Sequence, residues 1–153
     1  MTILISSQQN PIRLKRARIR RAAQRILSLL KHSKAELSIL FVDNSTMQQL
    51  NKVYRGENRP TDVLSFEAVI PIARGEQHAP KELPAPVLGD IVINTERALS
   101  QAREGGRDIY DEVYRLMVHD TLHLLGYDHE KRHEAAKMDN KEQEICNALK
   151  ETC

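Results

Sequence analysis

Eleven residues, His119-Asp120-Thr121-Leu122-His123-Leu124-Leu125-Gly126-Tyr127-Asp128-His129, restrict the local fold more tightly than any other part of the sequence. His119 and His123 are four apart, so a helix brings both side chains to one face, one turn above the other. Gly126 is the residue best able to end that helix in a left-handed conformation. The chain can then turn back and bring His129 to the same point from outside the helix. Three neutral imidazoles without a fourth protein ligand describe a catalytic zinc site, in which water takes the open position. A lone i, i+4 histidine pair arises by chance on many helices. Three of the six histidines in this spacing, around a glycine turn, are much harder to obtain that way. Asp128 and backbone carbonyls are candidate acceptors for the outer ring nitrogens. His32 and His133 read as surface residues and His78 as a solvated loop residue.

Zinc held by His119, His123 and His129 would lower the pKa of its water and polarise a carbonyl or phosphoryl oxygen, which is hydrolytic chemistry. The same spacing fits the metzincin protease pattern H-E-x-x-H-x-x-G-x-x-H except at one place: Asp120 stands where that pattern has its general-base glutamate. Aspartate is one methylene shorter and would reach the water poorly or at a different angle. At this level Asp120 reads as an exposed helical acid.

Around this segment the pattern alternates strands and helices. Met1 to Ser6 reads as a first strand, and Ile19, Ala22, Ala23, Ile26, Leu27 and Leu30 place an amphipathic helix over about 12–31, after Pro11. Its apolar stripe is core and its other face is arginine-rich. Leu37, Ile39 and Phe41 mark a strand, Asp43-Asn44-Ser45 a turn and cap, and Leu50 to Tyr54 a short helix. Val63 to Phe66 makes a third strand. Pro71 to Pro86 holds four of the six prolines and reads as a long mobile loop bordering a site. Val87 to Ile93 is a strand interrupted at Gly89-Asp90. Asn94-Thr95 caps a helix ending near Gly105-Gly106, Asp108 opens the histidine helix, and Met138, Ile145 and Leu149 face inward from a last one. The expected architecture is α+β: a small mixed sheet of about four strands packed with helices, one central helix carrying two metal-binding histidines. At 153 residues the chain is long enough to be one domain, spanning 1–153, with a real core.

No stretch approaches the roughly 18 apolar residues of a membrane span, and no signal-peptide order opens the chain. Cys146 and Cys153 are seven helical steps apart, about 10 Å, too far for a disulfide, and lack the paired spacing of a zinc site. These features point to a reducing cytoplasm and no membrane partner. The formal net charge of +2 hides an asymmetry: residues 1–35 carry nine Lys or Arg and no acid. Such a block fits a polyanionic partner or a solvated helix face, and charge alone does not choose between them.

Three further segments precede the histidines in order: Asn51-Lys52-Val53-Tyr54-Arg55, Arg59-Pro60-Thr61-Asp62-Val63-Leu64-Ser65-Phe66, and Leu88-Gly89-Asp90-Ile91-Val92-Ile93. With His-Leu-Leu-Gly-Tyr-Asp-His they closely resemble the YbeY family of bacterial endoribonucleases, over roughly residues 36 to 130 and more loosely through the flanking helices. The resemblance implies one zinc ion on His119, His123 and His129, and cleavage of single-stranded RNA. It places that activity in ribosomal RNA maturation at the 3′ end of 16S rRNA and in ribosome quality control, with the small subunit and ribosome-assembly proteins as partners. It also implies a functional arginine at Arg55, where a guanidinium can grip a phosphate bidentately. Without it, Arg55 reads as an arginine bonding the last carbonyls of a helix. Two positions depart from the family pattern: Asp120 replaces its glycine, and Glu67 replaces its proline, altering only the strand's exit. The alternatives are a small metzincin-like zinc metalloprotease and a non-enzymatic ribosome-assembly factor stabilised by zinc. The first lacks its glutamate, and the second would use a fully ligated metal.

Overall fold

A sheet of four strands carries the molecule, and the computed structural model describes it through residues 2–8, 12–67, 87–127 and 132–152. The strands are β1 (Thr2–Gln8), β2 (Glu36–Val42), β3 (Val63–Glu67) and β4 (Val87–Asn94). The helices are α1 (Arg16–Leu29), α2 (Asn44–Arg55), α3 (Thr95–Glu104), α4 (Ile109–Leu124) and α5 (Arg132–Thr152). The sheet order is β1-β2-β4-β3, with β3 antiparallel to β4 and the other pairs parallel. This is the expected mixed four-stranded α+β architecture.

Strand alternation divides the core between the two faces of the sheet. Leu37, Ile39, Phe41, Ile91 and Ile93 pack with the apolar stripes of α1, α4 and α5 in the main cluster. On the other face, Val42, Leu64 and Val92 pack against Met47 of α2. The α1 stripe is buried as expected, from Ile19 through Leu30. So are Met138, Ile145 and Leu149 of α5.

Several boundaries differ from the sequence pattern: β1 runs on to Gln8, and α2 is a twelve-residue helix that already includes Asn44 and Ser45, with Asp43 alone as its cap. Helix α1 begins at Arg16 rather than near residue 12, because the Lys15 amide donates to the Tyr110 hydroxyl at 2.9 Å and no side chain caps the helix. Arg18 then lies over the Tyr110 ring, 3.7 Å from its centroid, fixing α1 to the start of α4. Gly89-Asp90 does not interrupt β4. Glu36 pairs with Val87 and Leu37 with Gly89, so a bulge at the strand's entry absorbs the irregularity. The expected 71–86 loop, with His78, lies outside the described residues, as do Asp128, His129 and Cys153.

Candidate functional site

Helix α4 is the element that positions the site. It packs on α3 and α5 and crosses β3 and β4. Its N-terminus is capped by Asp108, whose carboxylate accepts from the Tyr110 amide at 2.7 Å. Its C-terminus closes as a Schellman motif: Tyr127 N–H donates to Leu122 O and Gly126 N–H to His123 O, both at 3.0 Å. Gly126 has φ +97°, a conformation open to glycine and strained for other residues, as the sequence predicts.

His119 and His123 rise from the same face of α4, with ring centroids 4.7 Å apart and planes at 79°. Their Nε2 atoms approach to 3.2 Å. Two tetrahedral zinc ligands at about 2.0–2.1 Å from the ion stand about 3.3 Å apart, so the pair fits two vertices of such a site. His119 Nδ1 is 3.1 Å from Glu142 Oε2 of α5. A carboxylate only accepts, so Nδ1 carries the proton and the neutral ring presents a lone pair at Nε2, the form a metal requires. That hydrogen bond raises the His119 pKa above the ordinary imidazole value, partly offset by burial. For His119 the acceptor is Glu142, which the sequence reading did not name; its candidate Asp128 lies outside the described residues. Among the described residues no three His, Cys, Asp or Glu side chains converge on one point. The third histidine of the expected set, His129, lies outside them.

Behind Glu142 runs a charged chain. Arg115 is 3.7 Å from Glu142 Oε1 and 2.6 Å from Glu112 Oε1. Glu112 is fully buried and also meets Arg107 at 2.7 Å. Two guanidiniums on one buried carboxylate balance its charge and orient Arg115 toward Glu142.

The histidines open into a cleft of about 960 Å³ whose wall includes Asn51, Arg55, Asp62, Ser65, Arg97 and Asp120. Arg55 is the last residue of α2, which Asp43 caps at the other end and Gly56 closes at φ +71°. Its Nη2 donates to Ser65 O of β3 at 3.1 Å, not to the carbonyls of its own helix. Among the described residues the remaining guanidinium N–H groups have no other hydrogen-bond partner, and Arg55 lines the cleft. Asn51 Nδ2 donates to Arg59 O at 2.8 Å and holds the connection from α2 to β3 in place. Asn94 does the same from the sheet, accepting from the Arg97 amide and donating to Thr61 O at 3.1 Å.

Asp120 departs from its sequence reading. It is not an exposed helical acid: it is 3% exposed and lines the cleft, and its Oδ2 has no hydrogen-bond partner among the described residues. Burial pushes its carboxyl up to about 7; His119 and Arg55 pull it down, and Asp62 adds to the rise. Cys146 is half-buried, and desolvation pushes its thiol up to about 11, away from the range of an activated nucleophile. Sequence reasoning did not single out Glu142, Asp62 or Arg97. The first is 23 residues from its histidine, and the other two need the fold to reach the cleft.

Fold and site together define a class: a mixed α+β protein whose central helix turns an imidazole pair into an arginine-walled cleft. The chain matches the family profile described as Endoribonuclease YbeY over residues 4–150. A protein named Endoribonuclease YbeY from Syntrophomonas wolfei is 41% identical over 98% of this chain and 98% of its own length. Another of that name from Syntrophus aciditrophicus is 39% identical over 95% of this chain and 88% of its own length. The solution structure of TM1509 from Thermotoga maritima shares the fold, with a TM-score of 0.60 over 99% of this chain and 93% of its own at 20% identity. The chain belongs to the YbeY family.

Proposed function

We propose that this protein is a zinc-dependent endoribonuclease that cuts single-stranded RNA, acting in the cytoplasm on ribosomal RNA at the 3′ end of 16S rRNA and in ribosome quality control, with the small ribosomal subunit and its assembly factors as partners. Relatives matching 95% and 98% of the chain carry the name endoribonuclease. The observation that carries the reading is the placement of the His119–His123 nitrogen pair, 3.2 Å apart, in one cleft with Arg55.

His119 and His123, with His129 as the third ligand, would hold the ion. Zinc, when bound there, supplies Lewis acidity toward a phosphoryl oxygen and a water of lowered pKa. The chain's own residues do the rest. Glu142 keeps the His119 proton on Nδ1. Arg55, anchored through one N–H to Ser65 O, presents the others to a phosphate and to charge that develops on it. Arg59 and Arg97 extend the positive wall along which a backbone lies. Asp62 and Asp120 oppose them, so a phosphate is favoured nearer Arg55 than Asp120. Helix α1 packs against β1, at the sheet edge opposite β3, and its arginine-rich face, turned away from the core, contributes attraction at longer range.

The test offers single-stranded RNA, duplex RNA and casein to the purified full chain, with metal content measured, beside His123→Ala and Arg55→Ala. Cleavage of single-stranded RNA alone, abolished in His123→Ala and reduced about 100-fold or more in Arg55→Ala, is expected. Casein cleavage lost with His123→Ala would establish a protease instead. RNA binding without cleavage by the zinc-loaded chain would leave a binding factor.

A further inference from the structure

Aromatic residues are scarce in this chain, two Phe and four Tyr with no Trp. Two of these six stand together on the outside of the site. Tyr54, on the last turn of α2, is 62% exposed, and the neighbouring Val53 is 73% exposed. The Tyr54 ring meets Phe66 of β3 in an edge arrangement, centroids 5.1 Å apart and planes at 69°. Immediately beside this contact, Arg55 donates to Ser65 O at 3.1 Å. Two consecutive residues of α2 therefore grip two consecutive residues of β3. The aromatic ring and the guanidinium are held side by side, one outside the cleft and the other in its wall.

Among the described residues nothing asks for a tyrosine at a position this exposed, since its burial contributes little to the core. A T-shaped pair holds the plane of each ring, while 62% exposure leaves Tyr54 open to a further contact. The cationic wall beside it, Arg55 with Arg59 and Arg97, sets the charge of a matching ligand. A fixed aromatic surface next to fixed guanidinium groups suits single-stranded nucleic acid, whose bases stack while its phosphates pair with cations.

We infer that Tyr54, backed by Phe66, is a stacking platform for one unpaired base of a single-stranded RNA whose adjacent phosphate lies on Arg55. The inference rests on the RNA reading above and deepens it, naming a source of preference for single strands: a base inside a duplex is already stacked and cannot reach the ring.

Because the chain has no tryptophan, Tyr54→Trp places a unique fluorophore at the platform. In a His123→Ala background, which keeps the RNA intact, a short single-stranded oligoribonucleotide should quench its emission. The same length carrying abasic sites, or the corresponding duplex, should not. Tyr54→Ala should weaken single-strand binding about 5- to 150-fold, and Tyr54→Phe should restore it. Equal quenching by the abasic strand, or unchanged affinity in Tyr54→Ala, overturns the platform. Emission that follows protein concentration but not oligonucleotide also overturns it, by making this face a contact between copies of the chain. Cleavage by the wild type is scored separately. Cleavage without base-dependent quenching removes the platform and keeps the nuclease, whereas base-dependent quenching without cleavage keeps the platform and removes the nuclease.

Discussion

Asp120 shows how far a single residue's meaning depends on its neighbours. In sequence it is a polar residue between helical positions; in the fold it is a buried carboxylate in the wall of the cleft, with one oxygen unpartnered among the described residues. A neutral side chain of the same shape escapes the desolvation of a charge. Asp120→Asn should therefore raise the melting temperature of the metal-free protein at neutral pH by about 2–4 °C or more, equivalent to about 1 kcal/mol, checked by calorimetry after chelation. An unchanged or lowered value would show that a group beyond the described residues satisfies the acid. Glu142 gives the complementary case, for it accepts from His119 Nδ1 and leaves the ring's lone pair on Nε2. Glu142→Gln should weaken zinc binding about 10- to 100-fold, measured by competition with a chromophoric chelator, with an unaltered circular dichroism spectrum. Affinity equal to the wild type would remove Glu142 from the site. The two helical histidines were legible in the sequence because i, i+4 spacing is a local property of a helix. Glu142 was not, since α5 meets α4 only through tertiary packing.

The helices carry their own signals, and most were readable. Asp43 caps α2 by accepting from the Thr46 amide at 2.8 Å, and Thr46 holds its carboxyl below the ordinary range. Asp43→Ala should cost about 1 kcal/mol at neutral pH. A folded pKa below the unfolded one means that this stability is present above the unfolded value and lost as pH falls through the folded value. The difference between wild type and variant in urea unfolding should thus shrink as pH drops below about 4, and a difference constant with pH would contradict the charged cap. Helix α4 depends on the buried Glu112 with Arg107 and Arg115. Replacing both cations, Arg107→Ala with Arg115→Ala, leaves the fully buried Glu112 carboxylate without either guanidinium and should destabilise by about 3–5 kcal/mol, read from denaturant midpoints. A loss under about 1 kcal/mol would place the pair among surface bridges. The boundary of α1 was misread for a definite reason: periodicity extends to residue 12, but the Tyr110 hydroxyl, 95 residues away, takes the Lys15 amide.

On the scale of the molecule, the sheet order β1-β2-β4-β3 brings the end of α2, the strand β3 and the histidine turns of α4 to one cleft. Alternating apolar residues reveal strands but not their neighbours, so the four strands were legible and their order was not. Arg55 shows the consequence. Local reasoning sets it bonding its own helix end, whereas the fold turns it onto Ser65 of β3, beside the histidines. The histidine pair and Arg55 are proposed to form one metal-dependent RNA-cleaving site. The most direct test of that proposal is the rate at which metal-stripped protein cuts single-stranded RNA as zinc is added back. No cleavage is expected without metal, with recovery complete at one zinc per chain and no recovery in His123→Ala. Cleavage that survives stripping, or that returns equally in His123→Ala, would contradict the proposal.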